Sequence, residues 1–120
     1  MRILFVDDAP DTRSLFSVAF RLEGHCTRLA ADGVEAVQAM QNESFDAIVM
    51  DIEMPRMDGW EATRQIRQMP QGRDVPILVF TGYNHDDDHD KAAEAGANGL
   101  VRKPLLPQMV LSRLKQLNTA

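Results

Sequence analysis

Side chains that can carry chemistry stand directly after short apolar runs in this 120-residue chain. The run AIVM at 47–50, for example, is followed at once by an aspartate, Asp51. A single Asp or Thr in such a position is often only a turn residue, so a working role depends on whether the fold gathers several of them. The residues that follow apolar runs in this way are Asp7, Asp8, Asp51, Thr81 and Lys103.

These residue types favour one kind of chemistry if they lie together. Clustered carboxylates repel one another, so the cluster is either partly protonated or holds a divalent cation. An oxygen-only donor set favours a hard ion such as Mg²⁺, which keeps several waters and takes one or two carboxylates directly. A lysine ammonium pairs with carboxylate or phosphoryl oxygens, and a threonine hydroxyl can hydrogen-bond the same oxygens. The set therefore predicts a Mg²⁺ site that handles phosphate.

Strands and helices alternate in the sequence pattern, and they must position this set. Five short apolar runs predict strands, at residues 3–6, 25–30, 45–50, 76–80 and 100–101. Segments with apolar residues at helical spacing follow them, at residues 10–23, 33–42, 60–69, 86–95 and from about 107. In the first helix the spacing is that of Leu15, Val18, Ala19 and Leu22.

Near-continuous apolar strands that alternate with helices are typical of a parallel sheet covered on both faces. Right-handed crossovers then predict an α/β fold, a flavodoxin-like, doubly wound (βα)5 domain whose five parallel strands have the order 2-1-3-4-5. Ligands bind such sheets at the carboxyl ends of the strands, near the point where the strand order reverses. The first and third strands flank that point, so the polar residues at the strand ends converge on one crevice.

Composition limits the classes of function. A chain of 120 residues with 44% hydrophobic and 26% charged residues fits one ordered domain. The 18 acidic and 13 basic residues give a net charge of -5, which opposes direct binding to nucleic acid. No apolar run is long enough to insert into a membrane, and Asp7 and Asp8 interrupt the first run too early for a signal peptide. We expect a cytoplasmic domain.

Three further features have structural interpretations. The single cysteine, Cys26, cannot form an internal disulfide and lies in an apolar–polar alternation, which predicts a small core or semi-core residue. The acidic tract at 86–90 predicts a solvated helix N-terminus. A metal site formed by this tract with His85 and His89 is an alternative, although the sequence shows no closed set of ligands. Trp60 is expected to be a half-buried side chain at a helix start.

The chain resembles, over its whole length, the receiver domain of two-component response regulators. The matching motifs are VDD at 6–8, MD at 50–51 followed by MPRMDG at 54–59, TG at 81–82 and KP at 103–104. Each motif is weak alone, but all four occur in the right order and at strand ends. The resemblance implies one response regulatory domain over residues 1–120.

The resemblance also implies roles for the site residues. Asp51 is expected to receive a phosphoryl group from a sensor histidine kinase or a histidine phosphotransfer protein and to become an aspartyl phosphate. Mg²⁺ is the expected cofactor, and its ligands would be Asp8 directly, Asp7 through a metal-bound water, an oxygen of Asp51 and the backbone carbonyl of Glu53. The domain would thus be a switch that catalyses only its own phosphorylation and dephosphorylation.

The resemblance also implies a switching step that involves two further residues. Thr81 is expected to move toward the new phosphoryl oxygens with the loop that follows it, and Lys103 to pair with those oxygens. The Lys103-Pro104 bond is expected to be cis. A downstream target or output domain is expected on the face made by the fourth helix, the fifth strand and the fifth helix.

This chain departs from the family pattern at Leu100, where many receivers have Tyr or Phe three residues before the lysine. Leu100 is expected to lie in the core. Because leucine has no aromatic ring, the rotation of a ring cannot carry the signal here. Glu53 and Tyr83, each two residues beyond a site residue, are expected to tune the rate at which the phosphoryl group is hydrolysed.

Two other functions fit these residues less well. A Mg²⁺-dependent phosphatase with Asp51 as nucleophile would need an acid–base Asp two residues later, where this chain has Glu53, and a cap for which the chain has no room. A flavodoxin would need a Ser/Thr/Gly-rich phosphate loop after the first strand, and Asp7-Asp8-Ala9-Pro10 would repel that phosphate. The sequence leaves open whether the chain acts alone or within a longer regulator or hybrid kinase.

Overall fold

The computed structural model describes residues 1–82 and 85–118, and within them five parallel strands form one sheet. The strands are β1 (Arg2–Val6), β2 (Cys26–Ala30), β3 (Ala47–Met50), β4 (Ile77–Thr81) and β5 (Gly99–Arg102). Their order in the sheet is β2-β1-β3-β4-β5, which confirms the predicted topology. The strand order reverses between β1 and β3, as the doubly wound arrangement requires.

Helices follow every strand. They are α1 (Pro10–Leu22), α2 (Gly33–Asn42), α3 (Gly59–Arg67), α4 (Asp88–Ala95) and α5 (Pro107–Asn118). A short 3-10 helix, Pro70–Gly72, follows α3 and was not expected from the pattern. Within the described part of the chain, no helix has both the length and the apolar character needed to cross a membrane.

The sheet has a separate hydrophobic layer on each face, and β1 shows how the strand pattern creates them. Ile3 and Phe5 pack with residues of α1 and α5, whereas Leu4 and Val6 pack with residues of α2 and α3. Successive side chains of a strand point to opposite faces, so a strand buried on both sides is apolar at every position. This is why the sequence shows continuous apolar runs rather than alternation.

The side of α1 that faces the core is not the side that carries its regularly spaced aliphatic residues. Phe16 and Phe20 are buried, and Phe16 stacks on Phe5 of β1 with 4.7 Å between ring centroids. Leu15, Val18 and Leu22 are 57%, 46% and 81% exposed. The spacing correctly predicts a helix, but the two large aromatic rings fill the space against the sheet and leave an aliphatic stripe in solvent.

Cys26 is exposed, so its prediction as a core or semi-core residue is wrong. It is the first residue of β2, which pairs with β1 at one end of the sheet. The period-two alternation places Cys26 on the same side as Arg28, which is also exposed, while Leu29 packs inward.

Arg67 joins the end of α3 to the segments around β4 and α4. Its guanidinium donates hydrogen bonds to the backbone oxygens of Gly72, Val75 and Gly96 at 2.6–2.8 Å. It also donates to Oδ1 of Asn98 at 2.8 Å, and the same Oδ1 accepts the backbone N–H of Ile77. A planar fork with five donors can bond to carbonyls in several directions at once, and an ammonium group cannot reproduce this geometry.

We predict that Arg67→Lys lowers the free energy of unfolding by about 2 kcal/mol, because several buried carbonyls lose their donor. Urea unfolding at neutral pH measures the change. Arg64→Lys is the matched control, since Arg64 lies on the same helix, is exposed and pairs with Glu61 only at 4.0 Å. Equal losses in the two variants would contradict the structural role of the Arg67 fork.

Candidate functional site

Three aspartates meet at the carboxyl edge of the sheet. Asp7 and Asp8 follow β1, Asp51 follows β3, and carboxylate oxygens of all three lie within 4.8 Å of one another. Asp7 and Asp51 are buried, whereas Asp8 is exposed. The strand-end positions are therefore brought together as the topology predicts.

Lys103 lies between the two buried carboxylates. Its Nζ atom is 2.7 Å from Oδ2 of Asp7 and 3.5 Å from Oδ2 of Asp51. The same ammonium group lies 5.3 Å from the centre of the Phe80 ring. Lys103 comes directly after β5, and the Lys103-Pro104 bond is cis, as the sequence resemblance implies.

Backbone groups hold the carboxylates in place. Oδ1 of Asp51 accepts the N–H of Ile52 at 2.8 Å, and Oδ1 of Asp7 accepts the N–H of Ala9 at 2.9 Å. The start of α3 passes very close to the same loop, because a β-carbon at Gly59 would lie 2.0 Å from the backbone oxygen of Asp51. Only glycine fits this approach, which explains the Gly of the DG pair after Asp51. Asp58 caps α3 by accepting the N–H of Glu61 at 2.9 Å.

The electrostatics of the cluster are dominated by burial and by repulsion between carboxylates. Burial, together with the negative charge of Asp7, raises the pKa of Asp51 to about 6, although Lys103 acts in the opposite direction. Burial tends to lower the pKa of Lys103, but its hydrogen bond to Asp7 and the charge of Asp51 raise that pKa overall. At neutral pH Asp51 is therefore mainly an ionised carboxylate, and Lys103 stays charged.

A cavity of about 730 Å³ is lined by two of the three aspartates, Asp8 and Asp51. Thr81, the last residue of β4, lines it together with Asp8, Asp51 and Lys103, and Glu53 lines it as an exposed side chain. Tyr83 lies outside the described residues. Of the predicted site residues, Asp8, Asp51, Glu53, Thr81 and Lys103 therefore share one surface, and Asp7 contacts Lys103 behind it.

The cavity also has walls that the sequence did not reveal. Trp60, His85, Asp88 and Lys91 line it on the side of α3 and α4. Trp60 is 9% exposed and packs with Leu100, so it is more deeply buried than the half-buried position predicted for it. Leu100 is buried in the core, as expected.

Asp88 corrects the interpretation of the acidic tract. Its carboxylate is buried and pairs with Arg102, whereas Asp86, Asp87 and Asp90 are exposed as a solvated helix start should be. Four aspartates within five residues look alike in sequence, and no pattern singles out the one that faces β5. Among the described residues, the one cluster of potential metal ligands consists of Asp7, Asp8 and Asp51, without His85 or His89.

The donor set fits a Mg²⁺ ion. All three side chains offer carboxylate oxygens, two are held by backbone hydrogen bonds, and Asp8 is open to solvent. A hard cation that keeps several waters needs this combination of few fixed carboxylates and an open side. Glu53 lines the same cavity.

Comparison with known proteins gives consistent matches. A family model described as the response regulator receiver domain matches residues 3–115. An uncharacterized 14.6 kDa protein from the sodA1 3' region of Leptolyngbya boryana is 34% identical over 97% of this chain and 88% of its own length. Response regulator MprA from Mycobacterium sp. (strain KMS) is 38% identical over 98% of this chain, which spans 50% of the length of MprA.

Solved structures are similar over nearly the whole chain. The receiver domain of the sensor histidine kinase PA1611 from Pseudomonas aeruginosa, which holds a magnesium ion in its active-site cleft, has a TM-score of 0.90 at 33% identity and covers 99% of this chain and 98% of its own. The chemotaxis protein CheY4 of Vibrio cholerae has a TM-score of 0.92 at 32% identity, with 97% of each chain covered.

We predict that Asp51→Asn stabilises the metal-free domain above pH 7, by about 2 kcal/mol at pH 8. The pKa of Asp51 is raised in the folded state, so its ionised form opposes folding at high pH. As pH falls through about 6 toward 4, the wild-type side chain takes up its proton and most of the gain disappears.

Urea unfolding in EDTA from pH 4.5 to 8 measures this difference. Asp11→Asn is the control, because Asp11 is an exposed carboxylate in the first turn of α1 and lies outside the cluster. A gain that does not change with pH, or a loss of stability at pH 8, would show that Asp51 is not under the repulsion described.

Proposed function

The chain belongs to the response regulator receiver domain family, and from this we propose that Asp51 accepts a phosphoryl group from a phosphohistidine donor in two-component or phosphorelay signalling. The observation that supports the proposal best is the position of Asp51. It is a buried nucleophile at a cavity floor, beside two further carboxylates and one lysine. The alternative of a substrate-processing phosphatase has no support of this kind.

In the proposed reaction, an Oδ atom of Asp51 attacks the phosphorus atom of the donor. A P–O bond forms to Asp51, the P–N bond to the donor imidazole breaks, and the imidazole nitrogen keeps the electron pair and takes a proton from solvent. The nucleophile must be ionised, and a pKa of about 6 leaves it so at neutral pH. Little acid–base chemistry is needed, so positioning and charge stabilisation account for most of the catalysis.

Mg²⁺ is the cofactor of this proposal, with Asp8 as direct ligand, Asp7 acting through a water, and Asp51 and the Glu53 carbonyl completing the protein donors. When bound, the ion neutralises negative charge on the phosphoryl oxygens. The donor chemistry of the three aspartates supports this assignment, as does the magnesium ion in the PA1611 receiver domain.

Lys103 and Thr81 would respond to the new group. Lys103 already lies 3.5 Å from Asp51, and its ammonium group can pair with a phosphoryl oxygen without leaving the cavity. Thr81 lines the same cavity at the end of β4. The proposal that Glu53 and Tyr83 together set the lifetime of the aspartyl phosphate stays a prediction.

The aliphatic stripe Leu15, Val18 and Leu22 on α1 is the surface we assign to the phosphodonor protein. The helix begins at Pro10, two residues after Asp8, so this stripe leads away from the rim of the phosphoacceptor cavity. Leu106 is also exposed, at 62%, just before α5, and α5 packs against α1. An exposed apolar patch of this kind marks a contact with another protein.

A second surface is assigned to the downstream target. A groove of about 500 Å³ lies between α4, β5 and α5, with Leu105 and Met109 among its apolar residues and Arg113 at its edge. We keep the cytoplasm as the expected location of the domain.

The first test of the proposal is direct phosphorylation. Incubation with acetyl phosphate and Mg²⁺ should add the mass of one phosphoryl group, measured by intact-protein mass spectrometry. Asp51→Ala should show no gain, EDTA should abolish the gain, and Asp11→Asn should behave as wild type. A chain that gains no mass with any small donor or kinase would instead be an inactive receiver that only binds proteins.

The second test separates docking from chemistry. The donor in this test is a histidine kinase or phosphotransfer protein that phosphorylates the wild type. We predict that Val18→Glu lowers the rate of phosphoryl transfer from this donor by about tenfold or more, since a charge enters the apolar contact. The rate with acetyl phosphate should change by less than about twofold, because Asp51 is untouched.

Ala93→Glu provides the matched control for this test. Ala93 is exposed on α4, which packs with α3 and β5 rather than with α1. If Ala93→Glu and Val18→Glu slow the protein donor equally, the stripe is not the docking surface.

A further inference from the structure

An ion pair connects Asp88 and Arg102, which line two different cavities. Asp88 lines the phosphoacceptor cavity above Asp51, and Arg102 lines the groove between α4, β5 and α5. The guanidinium NH1 of Arg102 donates to Oδ2 of Asp88 at 2.5 Å. One pair of side chains therefore contacts both the site of the proposed chemistry and the proposed target surface.

Asp88 is firmly held in this position. It is 3% exposed, and the same Oδ2 atom accepts the backbone N–H of His85 at 3.0 Å. Its own N–H donates to the backbone oxygen of His85 at 3.2 Å. Burial alone would raise the pKa of Asp88, but the hydrogen bonds from Arg102 and His85 lower it, so the carboxylate is charged at neutral pH.

The pair is also connected to the end of β4. Thr81 and Arg102 are partners in the β4–β5 register, and the N–H of Lys103 donates to the backbone oxygen of Thr81 at 2.8 Å. Residues 82–87 run from Thr81 to Asp88, which is the first residue of α4. Thr81 and Asp88, the residues on either side of 82–87, are therefore both partners of Arg102, one in the strand register and one through the ion pair.

Leu100 does not supply a link between the phosphoacceptor cavity and the groove. Its side chain is buried and packs with Trp60 and Val79, and an aliphatic side chain in the core has no polar tip that could respond to a new charge in the cavity. Neither Trp60 nor Val79 offers an ionised group. Asp88 and Arg102 are the charged side chains of α4 and β5 that contact each other across this region.

We propose that the Asp88–Arg102 ion pair is the link through which phosphorylation of Asp51 changes the groove between α4, β5 and α5. This inference rests on the proposed phosphoacceptor function. A phosphoryl group carries about -1.5 to -2 charges, so the cavity that Asp88 lines becomes more negative. Repulsion displaces Asp88, the start of α4 moves with it, and Arg102 takes a new position in the wall of the groove.

Arg102 and Asp88 are positioning residues in this scheme, because they act through α4 and the groove wall rather than on the phosphorus atom. The phosphoryl group can shift the domain between two arrangements only if its interactions differ between them. Without the ion pair, the arrangements before and after phosphorylation no longer differ at Asp88 and Arg102. The groove should then respond less to phosphorylation, even when Asp51 is phosphorylated to the same extent.

The test follows the methyl group of Met109, which is 52% exposed and lines the groove. Protein labelled with ¹³C-methyl methionine is compared by NMR before and after treatment with acetyl phosphate and Mg²⁺, and Met109→Leu identifies the resonance. The phosphorylated fraction is measured by intact mass, so that all variants are compared at an equal fraction.

In the wild type the Met109 resonance should move on phosphorylation. In Asp88→Asn and in Arg102→Gln the movement should fall at least about twofold, and the double variant should lose no more than either single variant, because both changes break one interaction. Asp87→Asn is the matched control: Asp87 is the adjacent, exposed aspartate, paired with Lys91 at 3.6 Å, and the response should stay at the wild-type level.

A wild-type protein that gains no phosphoryl mass would remove both the proposed function and this inference. Normal phosphorylation with a full Met109 response in Asp88→Asn and Arg102→Gln would overturn the inference alone. Thermal unfolding of each variant completes the comparison, since a merely structural pair would lower the melting temperature and leave the Met109 response intact.

Discussion

Lys103 joins two buried carboxylates that would otherwise repel each other, and the geometry of the cavity depends on this contact. Asp7 and Asp51 come from neighbouring strands, and Lys103 reaches both from the far side of β4. The pKa of Asp51 stays raised even with this partner, so the site retains unbalanced negative charge. A site of this kind gains stability from any cation it binds, which supports the proposal of Mg²⁺ as its cofactor.

In the proposed scheme, a change of charge in the cavity moves the start of α4. This helix contributes small side chains, Ala92 and Ala95, to the core, so little apolar area holds it in place. Arginines act at both of its ends: Arg102 pairs with Asp88 at the start, and Arg67 donates to the backbone oxygen of Gly96 at the end. Polar contacts of this sort have alternative geometries of similar energy, whereas a packed core does not deform gradually.

The two faces of the sheet differ in what they present to solvent. On the side of α1 and α5, aromatic rings fill the interior and aliphatic side chains remain outside, where they offer a contact surface. On the side of α3 and α4, the cavity wall is formed by Trp60 and charged residues. The surfaces proposed for the donor and for the target therefore lie on different parts of the domain.

The order of the elements and the gathering of the site residues could be predicted from the chain alone. Parallel strands end at one edge, so any residue that follows an apolar run, such as Asp51 or Lys103, is placed at that edge by chain order. The burial of Asp88, the exposure of Leu15 and the contacts of Arg67 could not be predicted in this way. Each of these depends on a side chain from an element that is distant in sequence. Residues of the same chemical type that are neighbours in the chain look alike in the sequence, and only their tertiary contacts distinguish them.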